Sequence, residues 1–545
     1  MLNESVALTR DVEALAGRTF DVLVVGGGIH GLAIAYDAAQ RGLAVALVER
    51  GDFGGAASFN HQKTAHGGLR SLQAGDLRRA RESVAERRTL ARVAPRLLRP
   101  LPFLIGTYRS VLRNRLALRA AFRIDLLIGR DRNHGVEPEL QLPAPRLISR
   151  PAAERLFPGI RREGLTGGAM WYDYQIVEAD RVTIGVALAA AACGATLANH
   201  VEALSPLRDG ARIAGMRVRD SIERRDLDVR ARLVINAAGA HAGAIMAGFG
   251  VRREFILLKA MNLVTTRPAG DLALAAPTRD GRMLTLTPWR GAALVGTSQS
   301  ASFVTPEGDA PESGEVAAFV QDANEAFPAL KLTRDAVTLV HRGIVPAETD
   351  RRGRPLLKRR AEILDHERQG VPGAMTVIGV KYTTARAVAA RAVDVAARKF
   401  RHTGRSRTAQ AILPGASIGD HEALAIETER RLRTPLAEGS RERIASLYGA
   451  RCPAIIEIAA RDRSLLQPLG PGTHAIGAEV VFAIVSEAAR RLDDVIMRRT
   501  EIGAGGWPGD EIVARAAELG ARQLGWTDAR RAEEVARLRG LFTVP

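Results

Sequence analysis

Between Phe20 and Glu49 the chain reads FDVLVVGGGIHGLAIAYDAAQRGLAVALVE, a short β-branched run, three glycines at GxGxxG spacing, an amphipathic stretch and a second apolar run. Ile29, Leu32, Ala33 and Tyr36 recur at helical spacing, whereas the run before Gly26 has the character of a strand buried on both faces. The segment is therefore a βαβ unit. In such a unit Gly26 permits the tight turn, Gly28 lets the backbone approach a pyrophosphate, and Gly31 allows close helix–strand packing. The free N–H groups at the helix start favour an anion, and Glu49, closing the second strand, is placed to accept from ribose hydroxyls and to repel a 2′-phosphate. This predicts dinucleotide binding without choosing between NAD and FAD.

A chain of 545 residues has length for two to four domains, and 46% hydrophobic with 25% charged residues is the composition of an ordinary globular protein. The excess of 78 Lys+Arg over 60 Asp+Glu, +18, raises anionic partners. Only Lys63, Lys259, Lys331, Lys358, Lys381 and Lys399 are lysines, so the charge is mostly arginine scattered along the chain. Aromatics at 4%, no zinc-finger spacing and no basic tail argue against a nucleic-acid partner. Cys193 and Cys452 form neither a CxxC nor a Cys/His pattern, so no metal site is expected and a reducing, cytoplasmic compartment fits. The first twenty residues lack an apolar core of the signal-peptide kind, and the longest weakly polar stretch, 185–198, falls short of the roughly 20 residues a membrane span needs.

Downstream, residues 78–99 read as a helix ended by Pro100 and Pro102. Residues 108–132 alternate Arg109, Arg113, Arg115, Arg119 and Arg123 with leucines and Phe122, a basic amphipathic pattern that suits either a helix packed on the protein or one lying on the inner face of a membrane. Strands are expected at 233–236, 292–296, 337–339 and 375–378, helices at 182–193 and 385–399, and helical patterning prevails from residue 412 onward.

The polar, glycine-paired segment Ser58 to Leu72 (SFNHQKTAHGGLRSL) follows the second strand, where a flavin could run. Here the sequence resembles the FAD-dependent glycerol-3-phosphate dehydrogenases and oxidases, in which a Ser-rich turn precedes Lys and HGGLR. Lys63 and His66-Gly67-Gly68-Leu69-Arg70 match that pattern. Further matches are NAAG at 236–239, the Lys259 segment, TPW followed by VGT within 287–297, GVKYTTAR at 379–386 and LDDVIMRRT at 492–500. The resemblance implies an α/β fold: a Rossmann-type FAD-binding domain over 18–400, after an extension at 1–17, interleaved with a mixed α+β substrate domain near 95–180 and 250–345, and an all-helical domain over 410–545. It implies FAD contacts from Arg50, Ser58, Lys63, His66, Gly67, Leu69, Val201, Ala238, Gly239, Lys381, Tyr382 and Thr383 in addition to Gly26, Gly28, Gly31 and Glu49.

The activity so implied is oxidation of the C2 alcohol of glycerol 3-phosphate to dihydroxyacetone phosphate, by hydride transfer to flavin N5, with electrons passing to quinone or oxygen. Such chemistry needs cations for an anionic substrate and for the reduced flavin. Lys381, Thr383, Arg70 and Arg360 match substrate-side positions of the family. Three of the six lysines fall within the matching motifs, in a chain that otherwise uses arginine. The sequence departs from the family at Asn262 in place of histidine, Ser71 in place of tyrosine and Val345 in place of arginine. Asn262 can hydrogen-bond a hydroxyl but cannot act as a base. His341 and Arg342 stand near the lost arginine, although Arg342 and Val345, three apart in an extended strand, should face opposite ways. A flavin oxidase of another small anionic alcohol, hydroxy acid or amine is therefore the alternative, with a non-redox flavoprotein behind it. A homodimer is a further expectation.

Overall fold

Two sheets and a helical cap make up the computed structural model, which describes residues 2–73, 75–109, 114–350 and 353–545. The first sheet runs Glu362–Asp365, Ala374–Ile378, Arg225–Asn236, Thr19–Val25, Val45–Val48, Thr196–Ala198. Four of these five pairings are parallel, and the antiparallel pair Glu362–Asp365 and Ala374–Ile378 forms one edge. Strands Val201–Asp209 and Arg212–Asp220 extend the Arg225–Asn236 strand as an antiparallel meander. Helices Ile29–Gln40, Ala179–Ala192 and Ala385–Lys399 pack together over one buried face of valine, leucine and alanine. Alanine is the common residue there because it lets helices approach closely at no side-chain entropy cost.

The second sheet has ten strands and is almost wholly antiparallel, drawn from segments between Thr64 and Ile176 and between Leu257 and Leu357. The expected helix at 78–99 spans Leu77–Val93, and Pro100 and Pro102 lie within the strand Leu98–Tyr108 instead of ending the helix. That strand pairs with Leu165–Ile176 throughout but meets Ala273–Pro277 only from Phe103 onward. Its first half is thus an edge on one side, where a residue without an N–H is tolerated.

From His421 the chain is helical, as expected, with six α-helices and a π-helical turn at Asp494–Arg499. A buried charge network joins this cap to the first sheet. Asp52 accepts from Arg498 Nε (2.5 Å), Arg499 Nη1 (2.7 Å), Arg499 Nη2 (2.8 Å) and Asn199 Nδ2 (2.9 Å). Asp494 pairs with His200 Nε2 (2.8 Å) and accepts from Arg498 Nη2 (2.8 Å). The LDDVIMRRT motif is thus the docking key of the cap. Asp52, His200 and Asp494 lie close enough to hold a metal ion, yet the two guanidinium groups already neutralise both carboxylates.

Candidate active site

A cavity of about 860 Å³ lies where the first sheet, the second sheet and the cap meet, at the carboxyl ends of the parallel strands. In an open α/β sheet that is where ligands bind. Its first wall is the glycine turn. Gly26 has φ +107, and a Cβ there would sit 2.7 Å from Ala237 O, while a Cβ on Gly31 would sit 1.9 Å from Gly26 O. Each glycine makes room for main chain, as the sequence spacing predicts. Glu49 accepts from Gly27 N–H (2.6 Å) through one oxygen and from Gly51 N–H (2.7 Å) through the other. Burial pushes its pKa up, against those two N–H groups, and each oxygen keeps a lone pair for a ribose hydroxyl. Ser58 Oγ accepts from Ile29 N–H (2.9 Å) at the helix start. Arg50, Val201, Ala238 and Gly239 complete this end. The void, the glycine cradle and the positioned acid fit an FAD.

At the other end Lys381, Asn262, Arg342 and Lys358 border the same cavity. Lys381 follows the strand Ala374–Ile378 and donates from Nζ to His66 O (3.0 Å) and Ser83 Oγ (3.0 Å). Burial pulls its pKa down to about 8; Asp173 opposes this, and Arg79 and Arg87 reinforce it. Asn262 is fixed at both ends of its amide, accepting from Thr297 Oγ1 (2.8 Å) and donating to Asn60 O (3.0 Å). Tyr382 stacks on His61 at 4.5 Å, and its hydroxyl meets Thr183 Oγ1 (2.9 Å).

Several residues expected at the site stand behind its wall. Lys63 is fully buried, donating to Phe59 O (2.7 Å) with Asp180 at 3.7 Å, and its charge lies 4.4 Å from the Phe59 ring centre. His66 bridges Thr64 Oγ1 (2.8 Å) and Asp173 (3.2 Å). Gly67 donates to Asp173 (2.7 Å), and a Cβ on it would meet the Arg87 guanidinium at 2.1 Å. Burial works against ionisation of Asp173, yet Arg87, His66 and the Gly67 N–H hold its pKa at about 2. The HGGLR motif thus braces an Asp173–Arg87 pair, which in turn supports the main chain holding Lys381. Leu69 packs beneath the helix Arg115–Ile128, Ser71 is buried in the short helix Leu69–Gln73, and Thr383 is buried in its turn. The side chain of Arg70 lies outside the described residues.

His341 is buried between Phe59 and Trp289 with no hydrogen-bond partner for either ring nitrogen among the described residues, and burial pushes its pKa well below the usual histidine range. It does not reach the cavity. Arg360 projects from the surface toward Asp76 (2.8 Å), its side chain 78% exposed. Lys358, two residues earlier, borders the cavity instead, a residue that the sequence reading did not single out. Residues 342 to 346 all border the cavity, because their strand runs along its edge, so Arg342 and Val345 are neighbours on the wall despite their spacing. Asp309 reaches Arg342 at 3.7 Å. The cap adds Asp493, Met497 and Arg498, a contribution that no local pattern in the first half of the chain foretells.

Comparison with known proteins agrees with this geometry. The FAD dependent oxidoreductase family model matches residues 21–438, and the model for the C-terminal domain of alpha-glycerophosphate oxidase matches residues 406–531. The chain is 32% identical over 537 residues to glycerol-3-phosphate dehydrogenase 2 of Mycobacterium tuberculosis, covering 96% of this chain and 88% of that one. It is 29% identical over 513 residues to glycerol-3-phosphate dehydrogenase of Synechocystis sp., covering 90% of each. Among solved structures, glycerol-3-phosphate dehydrogenase from Bacillus halodurans complexed with FAD superposes with a TM-score of 0.76 at 22% identity, covering 98% of both chains.

Proposed function

The chain belongs to the FAD-dependent glycerol-3-phosphate dehydrogenase/oxidase family, and we propose that it oxidises the C2 alcohol of glycerol 3-phosphate to dihydroxyacetone phosphate. Bound FAD supplies the acceptor for the C2 hydride. The observation that carries the reading is the single cavity that joins the glycine turn to Lys381, Arg342 and Lys358. Lys381 has two of its three ammonium hydrogens engaged by His66 O and Ser83 Oγ, and the third faces the cavity as a donor to negative charge on the substrate oxygen. Asn262, with its amide fixed, orients the hydroxyl and takes no proton, so the hydroxyl proton leaves to solvent water as the hydride leaves C2. Arg342 and Lys358 hold the phosphate in place of the arginine that Val345 replaces. Tyr382 and His61 stack as a flat wall of the cavity beside Lys381.

Anaerobic addition of glycerol 3-phosphate to the flavin-loaded protein should bleach the flavin absorbance. No bleaching at millimolar substrate removes this substrate and leaves the cofactor assignment standing. The replaced contacts Asn262, Ser71 and Val345 favour a second reading, oxidation of another small anionic alcohol, hydroxy acid or amine at the same site. A screen of those compounds for flavin reduction separates the two.

Electrons then pass to quinone or oxygen. Among the described residues no helix is long and apolar enough to cross a membrane. The helix Arg115–Ile128 nevertheless exposes Leu116 (78%), Ile124 (42%) and Leu127 (74%) on a surface it shares with Arg119 and Arg123. Exposed leucines flanked by arginines suit peripheral contact with an anionic bilayer, where a quinone would be met. Cosedimentation with anionic vesicles, lost in L116S/L127S, is the expected result.

A further inference from the structure

A second concavity of about 680 Å³ lies near the opposite end of the hairpin whose second strand leads to Lys381. Val251, Ile363 and Val395 give it an apolar floor. Around the floor stand four cations, Arg253, Arg368, Arg398 and Lys399, against one bordering carboxylate, Asp365. Two of the cations are neutralised, Arg253 by Glu362 (2.6 Å) and Lys399 by Asp365 (2.7 Å). Arg368 and Arg398 have no acidic partner among the described residues. Arg398 ends the helix Ala385–Lys399, where a cation complements the helix dipole, but Arg368 sits in the turn His366–Gln369 and has no such explanation.

One wall of this concavity is wired to the cofactor cavity. His366, which borders it, meets Gln369 Oε1 through Nδ1 (2.8 Å) and Thr376 Oγ1 through Nε2 (2.8 Å). Asn236 Nδ2 donates to the same Thr376 Oγ1 (3.2 Å), and Asn236 Oδ1 accepts from Ala238 N–H (3.2 Å). Ala238 borders the cofactor cavity. The donors and acceptors agree along the whole chain: His366 donates to Gln369, Thr376 donates to His366, and Asn236 donates to Thr376. A displacement of the His366 turn is therefore passed on through hydrogen bonds already made.

We infer that this concavity is a second anion site, separate from the substrate cavity, that takes a phosphate-bearing small molecule of nucleotide size, and that its occupancy is felt at the cofactor. The volume lies within the range of about 300–1,000 Å³ usual for small-molecule sites. Two guanidinium groups free of carboxylates offer paired donors matched to phosphate oxygens, and the apolar floor offers a surface for a base or a similar flat body.

The flavin-loaded protein, titrated calorimetrically with AMP and separately with inorganic phosphate, tests this. AMP should bind at one saturable site, more tightly than phosphate, and its saturation should change the flavin fluorescence. Arg368→Glu with Arg398→Glu should weaken AMP at least tenfold while leaving flavin content unchanged, since both side chains are exposed. Thr376→Val should keep AMP binding and lose the flavin response. Absence of AMP binding, equal binding by the double variant, or displacement of AMP by glycerol 3-phosphate overturns the site. A flavin signal that stays constant at AMP saturation overturns the linkage.

Discussion

At the glycine end of the active-site cavity the wall is main chain, and at the Lys381 end it is side chains. Gly26 and Gly31 let main chain pack closely within one continuous βαβ unit, Gly26 and Gly28 border the cavity, and Glu49 is tied to the same turn by Gly27 N–H. Lys381, Asn262, Arg342 and Lys358 come from four separate segments across both sheets, and all but Lys358, which pairs with Glu362 four residues on, depend on partners far away in sequence. The first end is therefore fixed by local geometry and admits few substitutions. The second is fixed by assembly, so its contacts can drift from the family while the fold stays whole.

The largest effect expected from this contrast is at the local end. Gly31→Val puts a Cβ 1.9 Å from Gly26 O, in main chain that cannot yield, and the purified protein should carry no flavin absorbance. A yellow variant with full flavin content would show that the turn is not the cofactor cradle. The charge network behind this end comes next. Asp52→Asn leaves Arg498 and Arg499 buried with a lost counter-charge, for which about 3–5 kcal/mol of destabilisation is expected, read as a lower denaturation midpoint. Burial resists ionisation of Asp52 and Asp494, yet Arg499 and His200 respectively keep both below the usual carboxylate range. Groups with depressed folded values contribute their stability above the unfolded value of about 4 and lose it as pH falls below that. Acid should therefore loosen the cap near pH 4 and below, whereas an interface indifferent to acid would show that the network is not what holds it.

At the assembled end Lys381→Met should keep the flavin and lower kcat/KM by about 10²–10³, the usual cost of removing a donor aimed at developing charge. Because the pKa of Lys381 is held at about 8, the ammonium is lost as pH rises through that value, and KM for an anionic substrate should climb above pH 8. Lys381→Arg, charged throughout, should flatten that climb even if its turnover is poor. A KM independent of pH between 7 and 9 in the unaltered protein would remove Lys381 from substrate binding.

The same contrast governs what could be read from the residues alone. The βαβ unit, the cofactor turn and the helical cap were legible, because each is written in spacing within a few dozen residues. The HGGLR segment was legible as a motif, but most of its described part serves as a brace: Gly67 is glycine because Arg87 passes over it, and His66 faces Asp173, relations across the fold that no spacing reveals. Pro100 and Pro102 misled as helix stops because one side of their strand is unpaired there, again a tertiary fact. His341 looked available for catalysis, and packing between two rings closes it off.

The smallest effect tests the comparison most closely, because it separates two basic residues only two positions apart. Arg360 matches the family by sequence, yet its guanidinium is exposed beside Asp76, where solvent screens the pair. Lys358, 16% exposed, borders the cavity with Glu362 at 2.6 Å. Arg360→Ala should leave kcat and KM for glycerol 3-phosphate within about twofold of the unaltered protein, since RT ln 2 is about 0.4 kcal/mol and no cavity contact is lost. Lys358→Ala should raise KM about tenfold with kcat nearly constant, as expected when a contact made equally in ground and transition states is removed. The reverse ranking would mean that bound substrate draws the Arg360 side chain inward. The assembled end would then be completed by the ligand, while the glycine end stands ready without one.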